Sequence, residues 1–331
     1  MRRARELSAG VLGTTSPNPP VGAVVLDRHG ESVGEGATSP PGGAHAEVVA
    51  LLQAGPRAFG GTLVCTLEPC NHVGRTGPCT AAIAEAGIAR VAYACDDPTE
   101  LAGGGAAVLR AAGIEVEPGL LLDEVADGPL AAWLHAQKTG RPFVTWKLAA
   151  SLDGRSAAAD GTSRWITGPE ARADVHRLRA QVDAIVVGIG TVLADDPALT
   201  VRPDPGHQPL RVVVDTDGRT PPTARVRDDE APSLILTERD VGRHDPAAVL
   251  RLLHDRGVVS VLLEGGPTLA AAFVAAGLVD RVLAYIAPVL LGAGLPVVGE
   301  LGAGTINDAF RFRLCEAIRI GDDVRLTLGR F

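Results

Sequence analysis

His45, Glu47, Cys70 and Cys79 are the residues of this chain best suited to chemistry. One imidazole and two thiolates make three zinc ligands, and zinc favours four near-tetrahedral donors, with zinc to sulfur distances of about 2.3 Å. A structural zinc takes four protein ligands, whereas three leave one position for water. Glu47 stands two residues after His45, too near to be a comfortable fourth ligand. It is near enough to take a proton from an activated water and pass it to a leaving group. The expected chemistry is zinc-assisted hydrolysis, with Glu47 as general base and then general acid and about one zinc per chain. A lone His or Cys is ordinarily just packed, and a zinc knot that only supports the fold is the competing reading. The Glu beside the His favours catalysis.

A second set of residues suits phosphate. Leu263-Glu264-Gly265-Gly266-Pro267 reads as a buried strand ending in a carboxylate, two glycines that let a ligand approach the backbone, and a proline fit for the first turn of a helix. The free N–H groups of such a helix start bind anions. Gly188-Ile189-Gly190-Thr191 is a similar but less specific signal, since short Gly-x-Gly pieces often mean only a tight turn.

Strands and helices must hold these groups. Apolar spacing predicts a helix from Arg2 to about Gly13, strands at Val21 to Asp27 and Glu31 to Gly36, and a helix beginning near His45. A strand at Thr62 to Leu67 ends just before Cys70, and Cys79 opens a helix whose first turn favours a thiolate. A strand at Ala89 to Ala94, a helix at Ala106 to Ala112, a strand at Ile114 to Glu117 and a helical stretch from about Leu121 to Gln137 complete the first half. Thr139-Gly140-Arg141-Pro142 stops that helix, so the domain boundary falls near residue 142, giving domains 1–142 and 143–331. Strands at Phe143 to Leu148, Ala184 to Val187, Leu210 to Val214, Ser233 to Leu236, Val258 to Leu263 and Arg281 to Ile286 follow. They alternate with helices around Pro169 to Gln181, Pro246 to Arg256 and Thr268 to Ala276, which describes a second α/β sheet.

Composition narrows the partners. A chain of 331 residues, 46% hydrophobic, is long enough for two cores. A formal charge of −8 without a basic run excludes the cationic footprint of a nucleic-acid binder. No apolar stretch reaches the length of a membrane span, and MRRARELSAGVLGTTSPNPP lacks the apolar core of a secretory leader. Five cysteines in so long a chain do not describe a secreted disulfide framework. A cytoplasmic protein with reduced thiols is expected.

His45-Ala46-Glu47 with Pro69-Cys70 and Cys79 resembles the zinc-dependent nucleobase deaminases. Eight residues separate the cysteines where two are commonest. That longer insert, with His72, Gly74-Arg75-Thr76 and Pro78-Cys79, is similar to the bifunctional riboflavin-biosynthesis deaminase/reductase family, as is Pro17-Asn18-Pro19 followed by Val21-Gly22. In the second half Lys147 to Gly154, Ser163-Arg164-Trp165-Ile166-Thr167, Gly190 to Thr200 and Leu263 to Leu269 resemble the reductase part of the same family, in the same order. The resemblance thus covers nearly the whole chain.

It implies an α/β architecture, a cytidine-deaminase-like three-layer domain followed by a dihydrofolate-reductase-like α/β domain, with Zn2+ and NADPH as cofactors. Asn18, His72 and Arg75 would then face the pyrimidine. Ala150, Trp165, Thr191, Asp195, Gly266, Pro267, Thr268, Leu269, Ala270, Ala271 and Ala272 would touch NADPH, and Ser163, Leu199, Arg202 and Glu264 the reductase substrate. Thr38 stands where the family often has a His. The implied reactions are deamination of 2,5-diamino-6-(5-phosphoribosylamino)pyrimidin-4-one, then reduction of the ribosyl group of the resulting uracil to ribityl. The partner is a small phosphorylated pyrimidine, with no nucleic acid or membrane, and a homo-oligomer is expected. The rival readings are a deaminase of another pyrimidine carrying an inactive reductase-like domain, and a zinc-stabilised binding protein.

Overall fold

The computed structural model describes residues 1–72, 77–202, 206–243 and 245–330. The chain divides into two units, Met1–Arg141 and Pro142–Phe331.

In the first unit the elements run α1 (Arg2–Gly10), β1 (Gly22–Leu26), β2 (Ser32–Ala37), α2 (Ala46–Ala54), β3 (Thr62–Leu67), α3 (Cys79–Glu85), β4 (Arg90–Cys95), α4 (Gly105–Ala111), β5 (Glu115–Glu117), α5 (Leu122–Ala126) and α6 (Ala131–Thr139). The sheet order is β2-β1-β3-β4-β5. β1 pairs antiparallel with β2 and β3, while β3, β4 and β5 are parallel. The short runs Gly22–Leu26 and Thr62–Leu67 are apolar almost throughout and buried on both faces, as strands between two helical layers must be. Asp27 closes the β1–β2 turn by accepting the N–H groups of His29 and Glu31 at 2.9 and 3.1 Å.

α2 lies close against β2 because β2 carries glycine where they meet. A Cβ at Gly36 would stand 2.2 Å from the Ala46 carbonyl oxygen. The helical stretch expected from Leu121 to Gln137 is two helices, α5 and α6. Between them sits Asp127-Gly128-Pro129, where proline removes a donor and crowds the preceding turn.

The second unit contains β6 (Phe143–Ser151), β7 (Arg155–Ala157), α7 (Pro169–Arg179), β8 (Ala184–Gly188), α8 (Ile189–Asp195), β9 (Leu210–Val214), β10 (Ser233–Leu236), α9 (Glu238–Val241), α10 (Pro246–His254), β11 (Ser260–Leu263), α11 (Pro267–Ala275), β12 (Arg281–Ala287), β13 (Leu295–Pro296), β14 (Arg313–Ile320) and β15 (Asp323–Gly329). Its large sheet has the order β10-β9-β8-β11-β6-β12-β15-β14. The strands from β10 to β12 are parallel, and the β14–β15 hairpin is added antiparallel at one side. Val144, Val186, Leu263, Phe273 and Val282 meet in the core beneath α10 and α11. α7 is tied to the sheet through Asp174, which accepts from Tyr285 Oη at 2.6 Å and from Arg325 at 2.8 Å. The loops after β6, β8, β9 and β11 leave the carboxyl ends of parallel strands, where open α/β sheets place ligands. Among the described residues no helix is long and apolar enough to cross a membrane.

Candidate active site

His45 is the residue at which the chain enters α2, extended at ψ 157, so its side chain stands free of the helix. Cys70 follows the end of β3, and Cys79 opens α3. The three ligand atoms lie within 4.8 Å of one another. His45 Nδ1 is 3.3 Å from Cys79 Sγ and 3.5 Å from Cys70 Sγ. Two thiols and an imidazole at this spacing cannot all lose their protons unaided. The Cys70 thiol is pulled down to about 4, first by its hydrogen bond with Cys79 and then by His45, while Cys79 is pushed up by the same bond with Cys70 and by burial. The hydrogen-bonded sulfur pair can thus carry one negative charge between them. A second charge needs a cation between the sulfurs. This donor set fits zinc, which binds thiolate and imidazole together.

Neighbouring groups hold the cluster in place. The Cys79 end is fastened to the Cys70 end by Thr80, whose N–H donates to the Cys70 carbonyl at 3.3 Å and whose hydroxyl donates to Asn71 Oδ1 at 2.9 Å. Buried Glu68 accepts from Asp97 N at 3.2 Å and from Ala106 N at 2.8 Å, pinning the end of β3 to the first turn of α4. Glu47 is buried in the first turn of α2, and burial pushes its carboxyl up to about 7. A carboxyl of that value exchanges a proton readily near neutral pH. Asn18 is half-buried in the turn before β1, and its side-chain amide bonds no described residue. The Nδ1 of His72 is buried without a hydrogen-bond partner among the described residues. Arg75 lies outside them. Thr38 is committed to the backbone, its hydroxyl accepting from Val21 N at 3.0 Å.

The second unit holds a cleft of about 1800 Å³. Its wall includes Ser163, Trp165, Thr191, Asp195, Leu199, Arg202, Glu264, Gly266, Pro267, Thr268, Leu269 and Ala272. The two glycine-edged loops converge: a Cβ on Gly188 would meet Leu269 at 3.6 Å, and one on Gly266 would meet Thr191 Oγ1 at 3.7 Å. α8 and α11 thus begin side by side at the cleft. Asp196 and Leu199 have φ of 41 and 53, a costly backbone for residues with a side chain and one concentrated at functional sites. Three residues expected at the cofactor are not on the wall. Ala150 and Ala270 are 1% and 0% exposed and Ala271 is also buried, because their positions on β6 and α11 turn them into the packing.

Glu264 carries a partner that sequence reasoning missed. Arg179 on α7 donates from Nε at 2.7 Å and from Nη2 at 2.8 Å to its two carboxylate oxygens, and from Nη1 to the Thr200 carbonyl at 3.2 Å. Burial alone would raise the Glu264 carboxyl, but Arg179 and Lys147 outweigh it and hold it below the ordinary value. Lys147 also lines the cleft, and burial lowers its ammonium pKa. Eight Arg and Lys against five Asp and Glu line this cleft in a chain of net charge −8. An anionic ligand is the natural occupant.

Residues 1–95 match the family model of the cytidine and deoxycytidylate deaminase zinc-binding region, and residues 142–326 match that of the RibD C-terminal domain. With the zinc-type cluster in one unit and the basic cleft in the other, these matches define the class: a two-part enzyme joining a zinc deaminase to a reductase. The chain is 53% identical to the riboflavin biosynthesis protein RibD of Mycobacterium tuberculosis over 99% of its own length and 96% of the relative's. To that of Escherichia coli it is 42% identical, over 99% and 98%. The solved structure of a diaminohydroxyphosphoribosylaminopyrimidine deaminase/5-amino-6-(5-phosphoribosylamino)uracil reductase from Thermotoga maritima superposes with a TM-score of 0.92 at 34% identity, covering 100% of this chain and 97% of the other. Acinetobacter baumannii RibD superposes at 0.90 with 38% identity and the same coverage. The chain belongs to the RibD family of bifunctional riboflavin-biosynthesis deaminase/reductases, whose cofactors are Zn2+ and NADPH.

Proposed function

We propose that residues 1–142 deaminate 2,5-diamino-6-(5-phosphoribosylamino)pyrimidin-4-one, and that residues 143–331 then reduce the ribosyl group of 5-amino-6-(5-phosphoribosylamino)uracil to ribityl with NADPH. The observation that carries this reading is the three-ligand cluster with buried Glu47 beside it, in a chain related over its whole length to enzymes named for these two reactions. His45, Cys70 and Cys79 would hold the metal. Zinc bound there supplies a Lewis acid that makes water acidic enough to attack at neutral pH. Glu47 takes a proton from the attacking water and gives it to the amino group that leaves as ammonia, so its near-neutral carboxyl suits both directions. Asn18 and His72 face the pyrimidine, with the free amide of Asn18 available to its ring edge, and the family resemblance adds Arg75 to the substrate contacts.

In the second unit the N–H groups at the start of α11 and the paired glycine loops receive the cofactor's phosphates. NADPH supplies the hydride. Arg202 and Ser163 receive the substrate's phosphate end, and Glu264, held rigid by Arg179, accepts from sugar hydroxyls. The same reading includes a cytoplasmic location, where thiol ligands stay reduced, and a homo-oligomer, for which the exposed edge strand β14 offers a pairing surface. Purified protein given the diaminopyrimidine phosphate and NADPH should release ammonia and oxidise NADPH in equal amounts. NADPH oxidation without ammonia, or neither, would refute it.

A further inference from the structure

Trp165 is 69% exposed, unusual for so large an apolar side chain, yet it is not left loose. The guanidinium of Arg172, on α7, lies 4.4 Å from the centre of its ring. That is well inside the range of a cation–π contact. The same guanidinium donates from Nη1 to the Thr167 carbonyl at 2.6 Å, so one side chain grips both the indole and the backbone two residues beyond it. On the other side Arg164 donates from Nη2 to the Asp195 carbonyl at 2.6 Å, fastening the same segment to the end of α8. Arg172, Trp165, Thr167 and Asp195 all line the cleft.

We propose that Arg172 is a positioning residue of the reductase, holding the Trp165 indole as a fixed wall of the cofactor site. The proposal rests on the reading that Trp165 meets NADPH. An indole free to change rotamer would have to be ordered each time cofactor binds, and that ordering cost would appear as weaker binding. With Arg172 stacked behind it, the ring is set before the cofactor arrives. Arg172 acts through Trp165 and takes no part in hydride or proton transfer.

The test is a double-mutant cycle on the full chain, supplied with the aminouracil phosphate and read as KM for NADPH and kcat. Trp165→Ala should raise the NADPH KM, and Arg172→Ala should raise it about fivefold, with a smaller change in kcat. The double variant should be no worse than Trp165→Ala. If Arg172→Ala leaves the KM at the parent value while Trp165→Ala raises it, the proposal is overturned and the cofactor reading stands. If the Arg172→Ala effect persists in full on the Trp165→Ala background, Arg172 acts by another route and the proposal is again overturned. If Trp165→Ala itself changes nothing, the cofactor reading fails and the proposal with it. Should Arg172→Ala not fold, Arg172→Gln serves instead, since it keeps a donor for Thr167 but has no cation to stack.

Discussion

A carboxylate that is to hold a sugar must be rigid, and Glu264 is rigid because both its oxygens are taken by one guanidinium. Arg179 is only 12% exposed and depends on this pairing as much as Glu264 does. Removing the carboxylate leaves a nearly buried cation without its counter-charge, a far larger change than the loss of one contact. Glu264→Ala should therefore raise the reductase substrate's KM about tenfold or more, with a smaller change in the KM for NADPH. The helix-start donors of α11 remain in that variant. Steady-state kinetics with each substrate varied in turn decide the matter. A loss confined to NADPH, or ammonia release falling in step with reduction, would show that Glu264 does something else.

At the scale of elements, the metal site depends on how closely α2 can lie on β2, since His45 and Glu47 travel with that helix. Gly36 is the point of closest approach. Gly36→Val must push backbone, not a flexible side-chain tip, because the new Cβ would stand 2.2 Å from the Ala46 oxygen and 2.6 Å from the Ala50 nitrogen. We expect a loss of about 2 kcal/mol or more in stability, together with weaker zinc retention. Thermal unfolding and metal content measure both, and an unchanged midpoint with full zinc would contradict the packing described. Elements of this kind were largely legible from sequence. Thr62–Leu67, Leu210–Val214 and Ser233–Leu236 are strands at the bounds their apolar runs indicate, because a fully buried strand has little but such a run to show. The β14–β15 hairpin was not anticipated, although Val324 to Leu328 alternates apolar and polar residues after a Gly-Asp-Asp turn. The His, Glu and two Cys were legible because few chemistries use that set. Arg179 was not, since an arginine three residues after His176 on a helix rich in charge looks like any solvated residue until the fold brings β11 beside it. For Ala150, Ala270 and Ala271 the structure adds only that their side chains are buried in the packing, since the turn of strand and helix decides which residues of a motif present a side chain to the cleft.

For the molecule as a whole, one chain carries two kinds of site with different demands. The first sets buried Glu47 close in sequence to a cluster of soft metal ligands. The second is wide and basic, set against the net negative charge of the chain. The described residues of the second site's wall all lie in the second unit, so on the proposed reading loss of the Glu47 carboxyl should stop one reaction and spare the other. Glu47→Gln tests this most directly, since the amide keeps the shape of the side chain but cannot accept and return a proton. Elemental analysis should find the parent's zinc content, ammonia release should fall by about a hundredfold or more, and NADPH oxidation with supplied aminouracil phosphate should continue at the parent rate. Ammonia release within a few fold of the parent, in a variant that keeps its zinc, would contradict the assignment of Glu47 and the deaminase mechanism built on it.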